Sequence, residues 1–103
     1  MVELTLFWSE TALSQRNETF KYWNNRNKSN QYSKRLSLLI KERTTLLLSN
    51  PDSGRIVDVE NVRTISVEYF SLFYEIHEDK IVIISFWDNR RDHKELLKIL
   101  KSK

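Results

Sequence analysis

Residues 62–92, VRTISVEYFSLFYEIHEDKIVIISFWDNRRD, combine a sustained β pattern with a dense polar ending, and their reading decides the fold. In the middle run, Phe70, Leu72, Tyr74 and Ile76 share one strand parity. Tyr69, Ser71, Phe73, Glu75 and His77 share the other, as in a half-buried strand. The next run, Lys80 to Trp87, places Val82, Ile84 and Phe86 on one face and Ile81, Ile83 and Trp87 on the other. Both faces are then apolar and both need cover, which predicts a central strand. His77-Glu78-Asp79-Lys80 is short and polar enough for a hairpin turn between the two, although it lacks an Asn-Gly or Asp-Gly pair. Upstream, Val62 to Val67 reads as another regular strand, and Arg55 to Val59 as a short strand or a bent lead-in.

The chain before this block supplies cover. Val2, Leu4, Leu6 and Trp8 alternate with Glu3, Thr5 and Phe7, predicting a first strand that joins the sheet. Ser9 is placed to cap a helix, with Glu10 in its first turn, where a negative charge suits the helix dipole. Its apolar stripe is Ala12, Leu13, Phe20 and Trp23, with Arg16 and Lys21 directed elsewhere, and it ends in the polar run Asn24 to Ser29. Ser29 or Asn30 caps a second helix with Tyr32, Leu36, Leu39, Ile40, Leu46 and Leu47 as its stripe. Pro51 stops it, and Pro51 to Gly54 is a turn. Past Trp87 the pattern breaks into Asp88-Asn89-Arg90-Arg91-Asp92. Asp92 or His93 then opens a short helix with Leu96, Leu97, Ile99 and Leu100 apolar and lysines at 94, 98, 101 and 103 outside. The order β-α-α-β-β-β-α predicts an α+β fold. An N-terminal strand and helical hairpin pack on an antiparallel sheet, followed by a short C-terminal helix.

Composition narrows the chemistry. At 103 residues the chain is expected to form a single domain, residues 1–103, with one core. The absence of cysteine excludes disulfides and thiolate sites, and fits the cytoplasm. No run approaches the eighteen or so apolar residues of a membrane span, and no signal peptide is visible, so no membrane partner is expected. Gly54 is the only glycine, which rules out a glycine-rich phosphate loop. His77 and His93 stand sixteen positions apart with no supporting carboxylate spacing, so neither a metal nor another cofactor is expected. Seventeen Lys and Arg against fourteen Asp and Glu give +3, a faint pointer to a polyanionic partner.

Metal-free RNA cleavage would need a base, an acid and fixed positive charge around the phosphorane. His77 or His93, Glu68 or Glu75, and Arg63, Arg90 and Arg91 are the available groups, with Trp87 or Tyr69 to stack on a base. Each has a plainer reading. His77 sits beside a turn, Arg63 is equally suited to pairing with Asp88 or Glu75, and Trp8 and Trp87 suit a core. Tyr22, Trp23 and Tyr32 read as packing near the hairpin tip. Asp88-Asn89-Arg90-Arg91, a polar loop leaving a rigid strand, is the best functional candidate and serves equally well as a turn and helix cap.

The ordered set of motifs resembles the RelE/ParE superfamily of toxins from bacterial type II toxin–antitoxin systems. The set comprises the opening strand into Trp8-Ser9-x-x-Ala12, Leu48-x-x-Pro51-x-x-Gly54, Val62-Arg63, Phe70-x-Leu72-x-Tyr74, and Lys80-Ile81-Val82-Ile83-Ile84 leading to Asn89-Arg90-Arg91-Asp92. The resemblance implies a small toxin held inactive by a cognate antitoxin. Its target is either DNA gyrase or the ribosome with its mRNA. If the chain is a metal-independent endoribonuclease, the resemblance implies Arg63, Arg90, Arg91 and His93 as its catalytic residues. If it is a binding inhibitor, Tyr69, Trp87, Asp88 and Asn89 would meet the target. Ser71, Thr64 and Ser66 stand where the ribonuclease branch carries basic residues, and Arg90-Arg91-Asp92 matches an ending common in the gyrase branch. A non-toxic relative acting only as a binding partner is the remaining alternative.

Overall fold

A computed structural model of the chain describes residues 3–102. The elements run β1 (Thr5–Trp8), α1 (Glu10–Asn27), α2 (Gln31–Ser49), a 3-10 turn (Pro51–Ser53), β2 (Arg55–Ile56), β3 (Val62–Val67), β4 (Phe70–His77), β5 (Lys80–Asp88) and α3 (His93–Lys101). The five strands form one sheet in the order β1-β5-β4-β3-β2. The expected α+β fold is present: β2 to β5 pair antiparallel, while β1 joins the sheet parallel to β5. A parallel neighbour needs a long crossover, and the α1–α2 hairpin begins that path. β1 starts at Thr5 rather than further upstream; Val2, and Lys103 at the other end, lie outside the described residues.

Capping follows local chemistry. The Ser9 hydroxyl accepts from the Ala12 N–H at 3.0 Å, and the Asp92 carboxylate accepts from the Lys94 N–H at 3.0 Å. α1 ends at Asn27, within the expected polar run Asn24 to Ser29. There Lys28 turns left-handed at φ 53° and returns its N–H to the Asn24 carbonyl. At α2, Asn30 holds the cap position but the Ser29 hydroxyl makes the bond, accepting from the Gln31 N–H at 3.2 Å.

The two sheet faces carry separate cores. Val67, Phe70, Leu72, Tyr74, Ile81, Ile83 and Phe86 cluster with Ala12, Leu36, Ile40 and Leu47 of the helical hairpin. Val62, Phe73, Ile84 and Trp87 cluster with Leu96 and Leu100 of α3. Each fully buried side chain such as Leu36 or Leu47 contributes about 1.5–3 kcal/mol of transfer free energy. Leu13, Leu46 and Leu97, expected on the buried stripes, are exposed instead.

Strict alternation along β5 does not hold. Phe73 pairs with Ser85 but Tyr74 pairs with Ile83, so the strand bulges at Ile84 and its parity resets. Phe86 therefore joins Ile81 and Ile83 under the hairpin, and Trp87 joins Val82 and Ile84 on the α3 side. Gln15 gives the physical reason. Its Oε1 accepts from the Phe86 N–H at 2.8 Å, a backbone donor beside the bulge, and from the buried Ser85 hydroxyl at 3.0 Å.

One end of the sheet is locked to the turn after α2. The Tyr74 hydroxyl donates to the Pro51 carbonyl at 2.7 Å and accepts from the Gly54 N–H at 2.9 Å. Arg63 donates to the Gly54 carbonyl at 2.9 Å and the Asp52 carbonyl at 3.2 Å, with the Asp52 carboxylate at 3.6 Å. A Cβ at Gly54 would lie 2.7–2.8 Å from Tyr74 ring carbons and closer still to its hydroxyl, so packing rather than backbone angle requires glycine here.

Candidate functional site

The other end of the sheet gathers the exposed polar and aromatic groups. β3 and β4 are joined by Glu68 and Tyr69 alone, with Val67 opposite Phe70. Glu68 sits at φ 55°, a left-handed angle that costs a non-glycine residue about 1 kcal/mol. Its carboxylate is clasped by both terminal nitrogens of Arg35 and approached by the Tyr32 hydroxyl at 3.5 Å. Burial first, and then this carboxylate, raise the Tyr32 pKa. The strained turn holds Tyr69 outward, 65% exposed.

Beside it the chain leaves β5 in a tight turn built on Asp88. That carboxylate accepts from the Arg90 backbone N–H at 2.9 Å and from the guanidinium at 2.9 and 2.8 Å. These Arg90 hydrogen bonds hold the Asp88 carboxyl below its usual range. The Arg90 guanidinium lies 5.6 Å from the Trp23 ring centroid and 5.8 Å from that of Tyr69, bridging helical hairpin and sheet turn. Trp23 in turn contacts Tyr22 edge-on and Tyr32 at a tilt, both at 5.2 Å. Asn89 donates its N–H to the Tyr69 carbonyl at 3.0 Å, and its side-chain oxygen accepts from the Ser71 hydroxyl at 2.7 Å. A cavity of about 250 Å³ opens alongside, lined by Gln15, Glu18, Tyr22, Trp23, Asp88 and Arg91.

The sequence candidates separate. Tyr69, Asp88, Asn89, Arg90 and Arg91 meet at this end. Trp87 is 1% exposed; its ring lies in the α3 core beneath Arg91, whose guanidinium is 4.6 Å from the ring centroid. Arg91 also reaches Glu95 at 3.0 Å. Arg63, suited on sequence to Asp88 or Glu75, pairs with Asp52. It faces Tyr74 on β4 while Asp88 faces Phe70, four residues or about 14 Å along the strand. His93 is the first residue of α3. It lines a cleft of about 260 Å³ beneath that helix with Arg55, Thr64, Ser71 and Asn89. His77 stands at the distant hairpin, 3.1 Å from Glu75.

Sequence reasoning took Trp23, Tyr22 and Tyr32 only as packing, and Arg35 only as one of the charged residues around the outside of α2. The available signal was the Glu68-Tyr69 turn, where neither residue is the glycine or asparagine that a two-residue hairpin favours. Such a turn needs outside support, and Arg35 supplies it.

A search of curated proteins finds no match. Among solved structures, a chain of the chromosomal ParDE TA system from P. aeruginosa is similar with a TM-score of 0.71 at 20% identity, covering 84% of this chain and 96% of that one. At that identity the likeness speaks for the fold. The family model for the ParE toxin of the parDE type II toxin–antitoxin system matches residues 6–93, which take in all of the sheet but Thr5, the helical hairpin and the Arg90 turn. The chain therefore belongs to the ParE toxin family within the RelE/ParE superfamily.

Proposed function

We propose that this toxin arrests growth by binding a protein target, DNA gyrase, through the Tyr69–Arg90 end of its sheet, and that a cognate antitoxin neutralises it in the cytoplasm. One observation carries the reading: the arginines that a ribonuclease would gather around one phosphate are divided between the two ends of the sheet. Arg90 is engaged by Asp88, Arg91 by Glu95, and Arg63 by Asp52 at the other end of the sheet. Transition-state stabilisation needs cations preorganised around one phosphorane, together with a base and an acid. A surface of Tyr, Trp and Arg on rigid supports suits a protein interface, where those residue types dominate binding energy.

Ribosome-dependent mRNA cleavage has one specific observation in its favour. His93 shares the cleft beneath α3 with Arg55, Ser71 and Asn89. Controlled expression in bacteria separates the readings. Gyrase poisoning produces growth arrest with DNA-damage signalling and intact messages, whereas new 5′ ends inside translated codons within minutes would replace this reading with the nuclease.

A further inference from the structure

Arg16 was expected to point away from the apolar stripe of α1, yet it packs against two aromatic rings. Its guanidinium lies 4.8 Å from the Trp8 ring centroid and 5.8 Å from that of Phe20, and its Nε is buried without a hydrogen-bond partner. Five other arginines, at positions 35, 43, 63, 90 and 91, each have a carboxylate within 4.0 Å. Of the remaining three, Arg26 and Arg55 are exposed and solvated, while Arg16 is half-buried. It is thus the one arginine partly withdrawn from water without an acid to match it among the described residues. Its one polar side-chain contact is the Asn17 amide oxygen at 3.3 Å. Desolvation accordingly lowers its pKa. Withdrawing a charge from water without a counter-charge is unfavourable, and a bound anion would relieve that cost.

The surroundings fit such an anion. Arg16 lines a pocket of about 190 Å³ between α1, α2 and the end of β1, together with Trp8, Ser37, Ile40, Lys41 and Thr44. No carboxylate is among these residues. Ser37, Lys41 and Thr44 follow at i, i+4 and i+7 on α2, so one helical face presents an ammonium and a hydroxyl donor toward the α1 guanidinium. Thr44 already donates its hydroxyl to the Lys41 carbonyl at 3.0 Å, which leaves Ser37 as the hydroxyl donor. A guanidinium clamped on an indole loses little freedom on binding.

We infer that this pocket is a binding site for a phosphate-class dianion, held by Arg16 and Lys41 with Ser37 donating, because two cations from two helices match two negative charges and a carboxylate would leave one unmatched. The site lies apart from the Tyr69–Arg90 end and stands or falls independently of the target proposed above.

The test is a titration of the 15N-labelled chain with inorganic phosphate, adenosine 5′-monophosphate and acetate, each at constant ionic strength, followed by NMR. The expected result is a saturable shift of Arg16, Ser37 and Lys41 signals with phosphate. Arg16→Gln should weaken it at least about tenfold, as for loss of a charge-assisted hydrogen bond, and the exposed Lys41→Gln about threefold or more. Tighter binding of the nucleotide would assign the phosphate to a phosphomonoester, and equal binding to the free ion. Because Lys41 is at the surface, its variant keeps the test valid should Arg16→Gln not fold. No saturable shift, an equal response to acetate, or a phosphate response unchanged in Lys41→Gln would overturn the inference.

Discussion

Each end of the sheet carries an arginine and a tyrosine, and the two ends use them oppositely. At the Gly54 end, Tyr74 is fully buried and its hydroxyl bridges two backbone groups of the 51–54 turn, while Arg63 spends its donors on carbonyls of the same turn. At the Glu68 end, Tyr69 is exposed and Arg90 is propped by Asp88 between two aromatic rings. The difference lies in what surrounds the guanidinium. Where backbone carbonyls and a buried phenol meet it, arginine is architecture. Where the partners are side chains on exposed turns, it is held in place and still available to a partner.

The comparison breaks most sharply at Gly54. Gly54→Val drives two methyl groups into the Tyr74 ring, and we expect a loss of about 3 kcal/mol in folding free energy, read by denaturant unfolding. Tyr74→Phe keeps the ring and strands the Gly54 N–H and Pro51 carbonyl; about 1–3 kcal/mol is expected by the same measurement. Gln15→Ala removes the acceptor that holds the β5 bulge. A loss of about 1–3 kcal/mol should come with faster amide exchange at Phe86. Arg90→Ala, at the other end, should change stability by less than about 1 kcal/mol, since its ion pair is half exposed, yet abolish growth arrest. An Arg90→Ala chain that lost the fold along with toxicity would erase the distinction between the two ends.

The smallest effect is in pH. The folded Asp88 carboxyl titrates below its ordinary 3.8, so its clasp on Arg90 stabilises the fold above that value. That contribution is lost only as pH falls through the lowered folded value. NMR signals of residues 88–91 should therefore stay native through the ordinary carboxylate range and shift below it.

Much of the fold was legible. Ser9 and Asp92 as caps, Pro51 as a stop and the shared buried face of Phe70, Leu72 and Tyr74 are local or period-2 signals, and each survives in the structure, although Ile76 at the end of that parity is exposed. What was not legible depends on distant partners. The β5 bulge is set by Gln15, seventy positions away in sequence from Ser85, and strict alternation therefore put Phe86 and Trp87 on the wrong faces. Arg16 was set apart from the α1 stripe although Ala12 and Phe20 lie four residues to either side of it; its contact with Trp8, outside the helix, arises only on folding. At the site, the polar loop Asp88 to Arg91 stood out, being four polar residues after an apolar strand. Trp23 and Arg35 did not, since their neighbours Arg90 and Glu68 arrive only on folding.

The central claim, that the Tyr69–Arg90 end meets a protein target, is tested most directly by supercoiling of relaxed plasmid with purified DNA gyrase in the presence of the chain. We expect inhibition by the parent, loss of inhibition in Arg90→Ala, and undiminished inhibition in His93→Ala. Unaffected gyrase, with His93→Ala abolishing growth arrest and mRNA cleavage in cells, would contradict it.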